Sequence, residues 1–158
     1  RWTAWRIVIG GLAGSLAVLA GAAAVDPGLQ PVPIILALVL FLWTPPHFWS
    51  LAAAKGDDYA RAKIPMLPVV APAYAWTSAV LAHAVALAAI SLVPVWYGAG
   101  MLYGICAAIG GFWFVWKSIV LHRDPSKKNA MGNFFASLLQ LALLVAGALL
   151  SSASGLLS

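Results

Sequence analysis

Five stretches of this chain, roughly Ile7 to Val25, Pro33 to Ala54, Ala73 to Val93, Ala99 to Leu121 and Asn133 to Ser152, are almost unbroken runs of apolar residues. Each is close to the length of about 20 residues that an α-helix needs to cross a hydrocarbon layer of about 30 Å. No water reaches the backbone there, so such a run must satisfy its own N–H and C=O groups, and a helix does so within one segment. The turn formers fall between the runs, at Asp26-Pro27-Gly28, Gly56-Asp57-Asp58, Pro94 to Gly98 and Asp124-Pro125-Ser126. The chain is 63% hydrophobic and 8% charged, against about 25% charged in soluble domains. These features predict an all-α polytopic transmembrane bundle of about five helices, forming a single membrane domain over residues 1–158. Cys106 has no second cysteine to pair with and reads as a small buried apolar residue.

The formal charge is +5, but the aromatic residues do not interleave with the basic ones as stacking on a single-stranded nucleic acid requires. A nucleic-acid partner is therefore not expected, and topology explains the charge instead. Arg1 and Arg6 precede the first run, and Lys55, Arg61 and Lys63 follow the second. Lys117, Arg123, Lys127 and Lys128 surround the connection from the fourth run to the fifth. With five spans all nine fall on one side, the pattern of cytoplasmic or matrix loops. Trp2, Trp5, Trp76 and Trp96 lie near run ends and read as an interfacial belt. The segment from His122 to Asn129 reads as a solvated loop.

The chemistry concentrates in residues 41–70, FLWTPPHFWSLAAAKGDDYARAKIPMLPVV. Thr44 before Pro45 suggests a helix N-cap with proline in the first turn, so the second span is expected to break or kink at Pro45-Pro46. A helix continuing past this point would set Thr44, His47 and Asp58 on one face, with His47 and Asp58 about 16 Å apart along the axis. Gly56 could end that helix earlier. The adjacent carboxylates Asp57 and Asp58 suit a hard cation such as Mg²⁺, which takes oxygen ligands and shares them with substrate phosphates. The Arg61 guanidinium suits phosphate oxygens. An ordinary ion-paired loop is the competing reading. His83, inside the third span, is either a functional group or a satisfied core histidine.

FLWTPPHFW, DDYARA and IPMLPVV together resemble the motif of the haem O synthase family, within the UbiA-type intramembrane prenyltransferases. Weaker support comes from Ile7-Val8-Ile9-Gly10-Gly11 and from Asn133 to Leu144. The resemblance implies the C-terminal half of a nine-helix fold, with the N-terminal half missing, in a bacterial inner or mitochondrial inner membrane. It implies transfer of the farnesyl group of farnesyl diphosphate to a vinyl carbon of haem b. It also implies Mg²⁺ bridging the diphosphate, and haem A synthase as a partner within the lipid bilayer. Carried over by position, Asp57 and Asp58 bind metal, and Asp58 and Arg61 are catalytic. Asp57, Arg61 and Lys63 hold the diphosphate, His47 faces the porphyrin as a candidate iron ligand, and Tyr59 and Trp43 line the pocket.

Two departures qualify this. Ala53 and Ala54 stand where the superfamily's DxxxD motif has its upstream carboxylates, and its first Asp-rich motif is absent, since the chain holds four acidic residues in all. Together with a start at Arg1, this reads as a fragment inactive alone. A quinone-type prenyltransferase is the alternative within the superfamily, and a transporter or binding subunit the alternative outside it.

Overall fold

The computed structural model describes residues 6–28 and 30–156; Arg1, Trp2 and Trp5 lie outside them. Among the described residues there are only helices, turns and short connections. The long helices are α1 (Arg6–Val25), α2 (Pro31–Ala54), α5 (Ala73–Ile90), α6 (Met101–Arg123) and α7 (Lys127–Leu156), with short α3 (Gly56–Arg61) and α4 (Leu67–Val70) between α2 and α5. A 3-10 turn at Val93–Tyr97 joins α5 to α6. Five segments are long and apolar enough to cross a membrane, as expected from the sequence.

Helix α2 is the hub. It packs on α1, α5 and α7, and α6 closes the group against α5 and α7. One core layer joins Val39, Trp43, Leu87, Phe114 and Leu144; a second joins Trp49, Trp76, Val80 and Leu121. Trp76 is thus a core residue rather than part of an interfacial belt, because its side chain packs into the layer of Trp49 from α2 and Leu121 from α6; Trp96 stays exposed. Lipid-tail packing gives helices little hydrophobic reason to associate, so close approach through small residues matters. A Cβ on Gly147 would lie 2.9 Å from Cys106 Cβ and 3.1 Å from Tyr103 Cα, so glycine lets α7 touch α6. The outer faces carry Ile9, Leu16, Ile109, Phe112 and Leu149 exposed, as a lipid-facing surface requires.

Three expectations are corrected. First, α2 is continuous through Pro45 and Pro46. Thr44 does not cap it: its hydroxyl donates back to the Leu40 carbonyl at 2.9 Å. Proline removes two backbone donors here, but Trp43, His47 and Ser50 on either side of the pair are bonded to α7, which holds the helix together across the gap. Second, of the two ends open to α2 the earlier one holds: the helix stops at Ala54, as the second apolar run does, and the chain turns at Lys55 before α3, so the longer helix that would set His47 and Asp58 on one face does not form. Third, His122 to Asn129 is mostly helical, because Ser126 caps α7 by accepting the Asn129 N–H, and α7 starts six residues before the expected Asn133. His122 bonds Thr77 at 3.0 Å instead of facing solvent.

Candidate functional site

The buried part of the site is an aromatic slot on the α2–α7 seam. Trp43 and His47 are one turn apart on α2, and their rings stack at 4.1 Å between centroids. Phe134 of α7 stacks on the imidazole at 4.5 Å, and Phe48 meets it edge-on. The Trp43 indole N–H donates to the Ser137 carbonyl at 2.8 Å. His47 Nδ1 lies 2.8 Å from Ser137 Oγ, whose own proton is directed at the Phe134 carbonyl, 2.7 Å away. About one turn toward the end of α2, Asn133 spans three helices. It donates to Ser50 Oγ and accepts from Ser118 Oγ of α6, each at 2.9 Å. Such intramembrane polar rungs persist only when their members satisfy one another.

The exposed part lies beyond the end of α2. Asp57 and Asp58 occupy the first turn of α3, where the helix dipole favours negative charge. Neighbours in a helix point apart, and these carboxylates do so. Asp58 pairs with Arg61 on the same helix, while Asp57 pairs with Lys127 of α7 at 2.6 Å. The hydrogen bond from Lys127, then its charge, holds the Asp57 carboxyl below its ordinary value. Tyr59 is half-buried, and Lys63 is exposed with φ 52°, a left-handed conformation rare for a side chain of this size. Lys63 also borders a surface recess of about 280 Å³ with Ala60, Ile64 and Val70.

The expected site residues therefore form two groups, with Trp43 and His47 buried, and Asp57, Asp58, Arg61 and Lys63 exposed at one end of the bundle together with the half-buried Tyr59. The ion pair to Lys127 brings the bases of two connections to that same end. His83 belongs to neither group: its Nδ1–H donates to the Ala79 carbonyl and its ring meets Trp49 edge-on, the satisfied arrangement of a core histidine. Sequence reading missed Ser137, Asn133, Phe134 and Lys127. The visible signal was Asn133, Ser137 and Gln140 at helical spacing within an apolar run. For a divalent cation, no cluster of three or more His, Cys, Asp or Glu side chains forms among the described residues. Asp57 and Asp58 still fit the protein's usual share of a Mg²⁺–phosphate site, which is one or two carboxylates.

The UbiA prenyltransferase family pattern matches residues 1–139. Protoheme IX farnesyltransferase 2 of Paramagnetospirillum magneticum is 62% identical over 145 residues, covering 92% of this chain and 50% of that protein. Protoheme IX farnesyltransferase 1 of the same organism is 51% identical over 147 residues, 91% of this chain and 50% of that protein. The protoheme IX farnesyltransferase of Afipia carboxidovorans is 44% identical over 151 residues, 92% of this chain and 48% of that protein. The chain spans about half the length of the curated relatives it matches. No solved structure matches it. Its apolar helices, its Asp-Asp segment at a helix start and a family match over most of its length agree, and the chain belongs to the UbiA prenyltransferase family.

Proposed function

We propose that this chain forms the C-terminal half of an intramembrane farnesyltransferase that joins the farnesyl group of farnesyl diphosphate to a vinyl carbon of haem b, giving haem O. The observation that carries the reading is the pairing of a buried histidine–aromatic stack with a carboxylate-and-base segment immediately beyond the same helix. The names of its relatives supply the two substrates.

Asp57 and Asp58 would hold Mg²⁺, whose chemistry there is to neutralise the diphosphate leaving group. Both carboxylates are engaged by bases, in exposed ion pairs of little net worth. Turning the carboxylates toward a cation thus frees Arg61 and Lys127 at little cost, and with Lys63 they can take up diphosphate oxygens. Arg61 offers two parallel donors, and the lysines act as point charges. His47 faces the porphyrin as a candidate iron ligand. Trp43 and Phe134 keep the slot apolar and dry, which strengthens electrostatic stabilisation of an allylic cation. Tyr59 lines the edge nearer the diphosphate. The superfamily's first Asp-rich motif is not among residues 1–158, so these residues alone should make no haem O. The basic end of the bundle is assigned to the cytoplasmic or matrix face of a bacterial or mitochondrial inner membrane, with haem A synthase as the neighbour that takes the product.

The test is haem O yield per unit of membrane-inserted intact enzyme across a Mg²⁺ titration. Asp58→Asn and Arg61→Lys should each lose about 100–1000-fold, the usual effect of removing one preorganised electrostatic group. Asp124→Asn, in the α6–α7 turn, should change little. Near-normal yield from both Asp58→Asn and Arg61→Lys would reduce this segment to an ordinary ion-paired surface.

A further inference from the structure

We propose that Ser137 is a positioning residue that holds His47 as the Nδ1–H tautomer and so presents an unprotonated Nε2 to a metalloporphyrin. The inference rests on the reading of His47 as the porphyrin-facing residue; the tautomer lock itself rests on the α2–α7 seam.

Ser137 Oγ carries one proton and has two neighbours, the Phe134 carbonyl at 2.7 Å and His47 Nδ1 at 2.8 Å. The carbonyl can only accept. With the proton on the Phe134 carbonyl, a serine hydroxyl bonded back within its own helix, Oγ is left as an acceptor and Nδ1 must supply an N–H. In the opposite tautomer the Ser137 proton would have to turn to Nδ1, giving up the Phe134 carbonyl and leaving two oxygen lone pairs facing each other at 2.7 Å. Stacking by Trp43 and Phe134 fixes the plane of the imidazole. The Trp43 indole, bonded to the Ser137 carbonyl, fixes the height of α7 against α2. Contacts among Trp43, His47, Phe134 and Ser137 thus set ring plane, ring position and proton.

Nε2 has no hydrogen-bond partner among the described residues. It is not sealed either: the fully buried side-chain nitrogens and oxygens without partners are those of Trp49 and Gln140. A neutral imidazole whose other nitrogen donates to a fixed acceptor is the usual form of a metal-ligating histidine, and removing that outer partner commonly costs about 10–100-fold in metal affinity.

The experiment uses the intact enzyme in lipid nanodiscs with isotopically labelled histidine, with ferric haem as the probe. Nitrogen resonances of His47 should show Nδ1 protonated and Nε2 bare. Ser137→Ala should shift that balance toward Nε2–H and weaken ferric haem binding, read from the Soret band, by about 10–100-fold. His47→Ala should weaken it at least as much. Ser118→Ala removes a buried hydroxyl of the neighbouring rung that does not touch His47, and should leave both readouts unchanged. Unchanged His47 nitrogens in Ser137→Ala overturn the lock, whatever happens to haem. Shifted nitrogens with haem affinity unmoved in both Ser137→Ala and His47→Ala overturn the porphyrin-facing reading, and the positioning role with it. Equal effects from Ser118→Ala and Ser137→Ala overturn the proposal in favour of general loosening of the seam.

Discussion

Replacing Asn133 by alanine should cost the bundle more than any other single polar truncation in its interior, because one amide serves three helices. Asn133 is fully buried, donates to Ser50 on α2 and accepts from Ser118 on α6. Interhelical hydrogen bonds in a bilayer average about 0.6 kcal/mol and reach about 1.7, so two of them give about 1.2 and at most about 3.4 kcal/mol. The losses are unequal. Ser50 keeps its bond to the Pro46 carbonyl at 2.6 Å, whereas Ser118 loses its acceptor and stays buried. The expected cost of Asn133→Ala is therefore about 1–3 kcal/mol, carried mainly by the α6 side. Adding Ser118→Ala removes the stranded hydroxyl, so the double variant should be less destabilised than the sum of the singles by about 0.6–1.7 kcal/mol. Reversible unfolding of the intact protein in mixed micelles, titrated with denaturing detergent, measures all three. Strict additivity, or an Asn133→Ala loss below about 0.5 kcal/mol, would mean that the rung does not hold the helices and that the continuity of α2 has another cause.

Gly147→Val should destabilise by about 1–3 kcal/mol through overpacking, since its Cβ would strike the α6 backbone at Tyr103. Gly132→Ala meets nothing within 4 Å and should be neutral or slightly stabilising in the same unfolding assay. For Asp57 the folded carboxyl titrates below its ordinary value of 3.8, so the bond to Lys127 contributes fully above that value and fades as pH falls through the depressed one. An NMR titration should place the Asp57 midpoint below 3.8, and Lys127→Ala should raise it; an unmoved midpoint would refute the pairing. Reporter fusions at Pro27 and Lys127 should report opposite sides of the membrane, and agreement between them would defeat the five-span arrangement.

The spans were legible because each is an uninterrupted apolar run, and in lipid that pattern leaves one backbone solution. The turn at residues 26–28 was legible too, since Asp26 accepts the Gly28 N–H as its spacing suggests. Helix ends were legible only where chemistry at the end was local. At Asp124-Pro125-Ser126 the turn is legible, but the apolar run itself begins only at Asn133, past Lys127 and Lys128. Ser126 starts α7 at these lysines regardless, letting their charged ends leave the bilayer. Of the candidate site, the residue identities could be read, but not their separation into a buried and an exposed group. That depends on whether α2 stops at Ala54, where the apolar run ends, or runs on to Asp58, and the sequence leaves both open until Gly56.

Thr44-Pro45-Pro46 misled for a related reason. A threonine before proline is a sound local signal for a new helix, and in water the two missing donors would make a break cheap. In this bundle the competing terms come from residues about 90 positions away, since Ser137 and Asn133 bind Trp43, His47 and Ser50 on both sides of the proline pair. A break there would strand buried polar groups on both helices, at a cost of about 1–3 kcal/mol for each. The helix therefore yields eight residues beyond His47 instead, at Lys55, where the backbone is exposed and water can take up the unpaired groups. That placement has a functional consequence. His47 is fixed to a rigid seam by buried bonds, while Asp57, Asp58 and Arg61 sit past the turn on exposed ion pairs that exchange partners for little free energy. The proposed function asks for these opposite properties, a rigid aromatic stack beside a flat ring and a movable segment for a diphosphate.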